Sequence, residues 1–145
     1  MTLPVDATGA FEVFVPQDSE GRLTAARAPS SDDPAITTAS ALEALRMAVG
    51  LAPSWGPAAA TDFIAADIDG NGAVTTADAL SILRIAVGLP AEAAPRWVFL
   101  DAEADLSEVD RSNVTYEEGL SLAALAAAET PSLVGILIGH VQEYV

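Results

Sequence analysis

One stretch of this chain occurs twice. Ile36-Thr-Thr-Ala-Ser-Ala-Leu-Glu-Ala-Leu-Arg-Met-Ala-Val-Gly-Leu51 returns as Val74-Thr-Thr-Ala-Asp-Ala-Leu-Ser-Ile-Leu-Arg-Ile-Ala-Val-Gly-Leu89, with most positions matched and no gap. A match of that length is read as a duplicated unit, and it constrains the fold, because both copies must bury similar faces. Each copy reads as a helix. Ala41, Leu42, Leu45, Met47 and Ala48 form the apolar face of the first, and Ala79, Leu80, Ile82, Leu83 and Ala86 that of the second. Gly50 and Gly88 stand where each helix should stop, and Pro90 follows the second. The chain is 51% hydrophobic, enough for a core, but much of that is alanine, which predicts a thin, helix-rich interior.

Outside the repeat the pattern points to strands. Ala10 to Val15 begins with apolar and polar side chains in alternation, 16–21 reads as a turn, and Arg22 to Ala28 as the returning strand of a hairpin. Trp97 to Leu100, Asn113 to Tyr116 and Leu133 to Ile138 are further strand candidates. Leu120 to Glu129 is ambiguous, since its alanines favour helix while Leu120, Leu122 and Ala124 alternate as in a strand. The expected fold is α+β: a helical pair with one calcium loop, flanked by N- and C-terminal strands joined in one small sheet. The expected divisions are a hairpin segment at 1–30, the repeat pair at 31–92 and a β-rich segment at 93–145, the last packed with the first.

The strongest chemical signal precedes the second copy. Asp67-Ile-Asp-Gly-Asn-Gly-Ala-Val-Thr-Thr-Ala-Asp78 has the spacing of an EF-hand loop. Calcium takes about six to eight oxygen ligands, and this loop offers oxygens where they are needed. Asp67, Asp69 and Asn71 stand at positions one, three and five. Gly72 at position six permits the sharp turn, and Ala73 at position seven offers its backbone carbonyl. Val74 at position eight is the apolar residue expected to tie the loop to the core. Thr75 at position nine acts directly or through water. Asp78 at position twelve closes the site, where the pattern more often has the longer Glu. The plain alternative is an Asx-rich turn capping a helix, with Asp78 as a favourable negative charge at the helix start.

Aligned on this loop, the corresponding positions of the first copy are Pro29, Ser31, Asp33 and Ser40, with Pro34 in place of the turn glycine. Only Asp33 is a good ligand, so one calcium ion is expected in all. Thr37 or Ser40 is expected to cap the first helix.

An Asp-rich loop followed by Val-Thr-Thr-Ala-Asp-Ala-Leu-Ser-Ile-Leu-Arg, within a two-copy unit, resembles the type I dockerin family over about Ser31 to Pro90. The resemblance implies a calcium-dependent module of an extracellular or cell-surface bacterial assembly that binds a cohesin domain. In that family, loop positions ten and eleven and the following helix face carry recognition. Here these fall on Thr38, Ala39, Leu45 and Arg46 in the first copy and Thr76, Ala77, Leu83 and Arg84 in the second. Leu45 and Leu83 read more readily as ordinary core residues than as contacts, which leaves Arg46 and Arg84 as the better contact candidates. The strands at Trp97 to Asp101 and Leu133 to Leu137 are similar to those that follow dockerin-like pairs near the C-termini of large secreted or surface proteins of Gram-negative bacteria.

Composition narrows the remaining classes. A net charge of -15, from 21 acidic and 6 basic residues, disfavours nucleic acid, whose phosphates need Lys and Arg. There is no cysteine, hence no disulfide, thiolate metal site or thiol nucleophile. The start of the chain lacks the basic and apolar regions of a signal peptide and reads as a piece of a longer chain. Leu133 to Ile138 is too short to span a membrane. Asp101-Ala-Glu-Ala-Asp105, with Glu108 and Asp110 nearby, reads as a solvated acidic loop more readily than as a second metal site, since it lacks the turn glycine. His140 is the only histidine and is expected at the surface near a strand end; Trp55 and Trp97 are expected as packing anchors. Nothing marks a catalytic constellation. The expected function is binding, not catalysis: either docking onto a cohesin-like partner, or calcium stabilisation of a terminal domain that recruits no partner.

Overall fold

The computed structural model describes residues 5–10, 12, 14, 16, 20–123 and 131–143. Both copies of the repeat form helices, α1 (Thr38–Ala48) and α3 (Thr76–Ala86), each entered from an extended threonine, Thr37 and Thr75. Each helix ends the same way. The amide of Gly50 donates to Met47 O and that of Leu51 to Arg46 O; Gly88 and Leu89 donate likewise to Ile85 O and Arg84 O. This Schellman closure places the glycine at positive φ, 84° for Gly50 and 75° for Gly88. A shorter helix, α2 (Ala60–Ala66), runs into the Asp-rich loop and has Asp67 as its C-cap residue.

α1 packs against α3, but over a narrower stripe than the sequence suggests. Ala41, Ala44 and Met47 of α1 and Ala79 and Ile82 of α3 are buried. Leu42 and Leu80, expected in the core, are 56% and 54% exposed, and Leu45 and Leu83 also face solvent. The small alanine stripe faces inward, and no described element covers the leucine stripe beside it.

Among the described residues the strands are β1 (Arg22–Leu23), β2 (Arg96–Asp101), β3 (Leu120–Ser121) and β4 (Leu133–Ile138). They form two antiparallel pairs, β1 with β3 and β2 with β4, rather than one sheet. β2 and β4 pair from Arg96 opposite Ile138 to Asp101 opposite Leu133. The two pairs meet where the amide of Gly119 donates to Phe99 O at 2.7 Å. Gly119 has φ 82°, and a Cβ there would strike the Leu23 carbonyl, so only glycine fits.

Several strand expectations change accordingly. The returning strand at Arg22 to Ala28 shrinks to β1, whose partner is β3. In Ala10 to Val15, Phe11, Val13 and Val15 lie outside the described residues; Ala10, Glu12 and Phe14 are not in a strand. Asn113 to Tyr116 is not a strand either. The ambiguous 120–129 segment begins as β3 and turns helical at Leu122, and its continuation from 124 lies outside the described residues. His140 is buried, its Nδ1 lying 3.1 Å from Ala35 O.

The helices and β2–β4 share one core. Ile64, Ile68, Val74 and Ile82 join Val98, Leu100, Ile136 and Ile138 in a continuous cluster. α2 packs on β4, and Gly139 N donates to Ala65 O at 2.7 Å. The Asp-rich loop is therefore carried on elements that belong to this core. Among the described residues no helix is long and apolar enough to cross a membrane.

Candidate metal centre

The loop is anchored at both ends. Asp67 closes α2, and Asp78 lies in the first turn of α3. Between them Gly70 and Gly72 take positive φ, 71° and 90°, and Val74 turns inward to 3% exposure. Two glycines and one inward valine thus fold the chain back on itself, so that side chains distant along the loop converge.

Asp67, Asp69 and Asp78 are the only acidic trio among the described residues that could hold a metal ion. One carboxylate oxygen from each lies within 4.8 Å of those of the other two. Two oxygens bound to one calcium ion at about 2.5 Å can be at most about 5 Å apart, so each pair in the trio is within the span of two ligands on one ion. Asp67 and Asp78 are buried, which removes the water that would otherwise screen them.

The loop backbone holds these carboxylates in place. The two oxygens of Asp67 accept from the amides of Asn71 (3.2 Å) and Gly72 (3.0 Å). Asp69 accepts from the Asn71 amide at 2.9 Å and from its side-chain nitrogen at 3.0 Å. Asn71 Oδ1 in turn accepts from the amide of Ala73. Asp78 accepts from the Asp69 amide through one oxygen (3.2 Å) and from the Thr75 amide (2.8 Å) and hydroxyl (3.0 Å) through the other. Thr75 is thus the capping partner of Asp78, and both readings of Asp78, helix cap and metal ligand, describe the same carboxylate.

Electrostatics shows the cost of this arrangement. Burial, followed by the like charges of Asp78 and Asp69, raises the Asp67 carboxyl above its ordinary value, although the Gly72 amide opposes the shift. A divalent cation reverses that penalty by supplying the missing positive charge. The donor set is all oxygen, with neither sulfur nor imidazole, which suits a hard cation.

The first copy does not reproduce this site. Asp33, its one good ligand, accepts instead from the indole Nε1 of Trp97 (2.9 Å) and from the Ser30 amide (2.9 Å), and pairs with Arg27. The indole bond, then the Ser30 amide and the Arg27 charge, hold the Asp33 carboxyl below its ordinary value. Arg27 also stacks over Trp97 at 4.8 Å. Ser40, opposite Asp78 in the alignment, is buried. In the acidic stretch after β2, Asp101, Asp105 and Asp110 accept from nearby amides of Glu103, Ser107 and Ser112, forming local turns rather than a cluster.

Of the remaining residues singled out by sequence, Thr38, Ala39, Thr76, Ala77 and Arg84 are exposed. Arg46 is half-buried: its Nε donates to Ala52 O at 2.9 Å and lies 3.8 Å from the buried carboxylate of Glu43. Arg84 makes no such contact among the described residues, so the two arginines occupy equivalent helix positions but different environments. Leu45 and Leu83 lie on the exposed face with them, not in the core.

Sequence reasoning missed the residues that support the loop from outside. Arg96 Nη1 donates to Ile68 O at 2.9 Å. The amide of Val74 donates to Arg111 O and that of Val114 to Gly72 O, each at 2.8 Å. No motif marks these residues, because two of the three bonds join backbone groups that every residue carries. Comparison with protein-family models, curated proteins and solved structures returned no match.

Proposed function

We propose that this protein is a calcium-binding, dockerin-like module that presents the outer face of α1 and α3 to a cohesin-like protein domain. The observation that carries this reading is the exposure of that face. Leu42, Leu45, Leu80 and Leu83 are exposed among the described residues, as are Thr38, Ala39, Thr76, Ala77 and Arg84 on the same two helices. Apolar side chains grouped on one exposed face and edged by polar residues are characteristic of protein-binding surfaces. Among the described residues β4 packs against α2, not against these leucines, which stay exposed.

Calcium enters the reading through the loop. Asp67, Asp69, Asn71, the Ala73 carbonyl, Thr75 and Asp78 would be its ligands or, for Thr75, its contact through water, and one ion is expected. The ion would hold the start of α3 against α2, which positions Thr76, Ala77 and Arg84. Binding energy at the loop would therefore be folding energy for the docking face. In the context of the resemblance, the module belongs to a longer secreted or surface chain.

A second reading is favoured by the core shared between helices and strands: the calcium loop would stabilise a terminal domain that recruits no partner. Calorimetry with purified cohesin domains, with calcium and with chelator, separates the two. Docking predicts a calcium-dependent complex that Leu83→Asp and Arg84→Glu disrupt while calcium binding persists. Calcium heats without any complex across the cohesins tested would leave the structural reading in its place.

A further inference from the structure

We propose that residues 111–114 form a strap that positions the metal loop, taking the place of a paired loop from the first copy, and that metal binding is thereby coupled to α1. The proposal rests on the calcium reading of the loop.

A free metal loop would leave its outer backbone exposed. Here the amide of Val74, at position eight, donates to Arg111 O, while the carbonyl of Gly72, at position six, accepts from Val114 N. Two reciprocal bonds, both at 2.8 Å, fix the loop on either side of Ala73, the residue whose carbonyl is expected to face the ion. Val114 and Val74 are both buried in the same core cluster, so the strap is held by the core as well as along its edge. The first copy cannot supply this support, because Asp33 and its surrounding loop are committed to Trp97 and Arg27.

Arg111 carries the connection further. While its carbonyl accepts from the metal loop, its guanidinium Nη1 donates to Ala48 O at 2.9 Å. Ala48 is the last residue of α1, where carbonyls lack helical partners and a cation is favoured. One residue thus bridges the second copy's loop and the end of the first copy's helix. The strap is fastened again next to the loop by a turn in which Asn113 N donates to Asp110 Oδ1 at 2.9 Å. Backbone fixed before the ion arrives reduces the ordering cost of binding, which is how groups beyond the ligands themselves raise metal affinity.

The test is calcium calorimetry on the full chain, combined with amide exchange, for wild type, Val114→Pro, Arg111→Ala and Arg111→Lys. Val114→Pro removes the amide that holds Gly72 and is expected to weaken calcium binding by about tenfold or more. Arg111→Ala removes a single hydrogen bond at a distance from the ion and is expected to weaken it by about two- to tenfold. Arg111→Lys keeps a cation at the end of α1 and is expected to restore part of that loss. Calcium is expected to slow exchange at Val74, Val114 and Leu51 together in wild type, while Arg111→Ala releases Leu51. Unchanged exchange at Val98 and Ile136 identifies variants whose β2–β4 pairing is intact; should Val114→Pro lose that pairing, the Arg111 pair decides. Wild-type binding with equal affinity in the folded variants, or protection of Val74 without Val114, would overturn the strap. Absence of any calcium heat in wild type would overturn the calcium reading, and with it the coupling.

Discussion

The two loops that precede α1 and α3 stand at equivalent places in the repeat and do opposite things with a carboxylate. In the second, Asp67, Asp69 and Asp78 converge, and burial with mutual repulsion pushes Asp67 upward. In the first, a lone Asp33 is satisfied by an indole, an amide and an arginine, and its carboxyl is held down. One loop concentrates carboxylates that could hold a metal ion. The other draws its cation and its donors from the chain. What separates them is not the helix that follows, which is nearly the same in both, but what tertiary partners reach the loop. Trp97 and Arg27 reach the first; the 111–114 strap and Arg96 reach the second.

The largest expected break in this contrast comes from Asp78→Ala. It removes the acceptor of the Thr75 and Asp69 amides inside the core and one of the converging carboxylates. Calcium binding should disappear in calorimetry, and the metal-free protein should lose about 2–4 kcal/mol of stability in urea unfolding. Retained binding would show that the trio is a cap and nothing more. Calcium itself should give the next effect. At a free concentration about a hundred times Kd, the ion should add about 2.7 kcal/mol, read as a higher Tm that chelator reverses. Its stoichiometry should be one; two ions would mean that the first loop still binds.

Substitution at the first loop should leave the metal alone. Asp33→Asn is expected to change Trp97 fluorescence while shifting calcium affinity by less than about twofold, because the sites share no ligand. A large loss of affinity would make the two loops one cooperative unit. The smallest effect is a pH dependence. Since the folded Asp33 carboxyl titrates below its unfolded value, near 3.9, its contribution is complete above that pH and is lost as pH falls through the lowered folded value. Trp97 emission should therefore change below about pH 4 in wild type, and the change should vanish in Asp33→Asn.

Local chemistry was legible in the sequence wherever a few consecutive residues define it. The twelve-residue spacing from Asp67 to Asp78 located the converging carboxylates, and Gly50 and Gly88 located both helix ends. β2 and β4 were visible as short apolar runs. Pairing was less visible. Arg22 was expected to pair back within a hairpin, but pairs with Ser121. Leu42, Leu45, Leu80 and Leu83 were assigned to the core because hydrophobicity names candidates for burial without saying which of two adjacent stripes finds a neighbour. His140 was placed at the surface by residue type, and Ile36, Ile68 and Gly139 close around its strand end instead.

The sequence alone therefore determined the converging carboxylates and the helix that carries Asp78, since an Asx-rich loop and a helix stop act through side chains and φ angles within a dozen residues. Only the tertiary structure decided which leucines stay exposed, that Asp33 serves Trp97 rather than a metal, and that Arg111 and Val114 hold the loop. Those outcomes depend on which peptide carbonyl meets which amide across long stretches of chain. Every residue carries both groups, so no residue type records the choice.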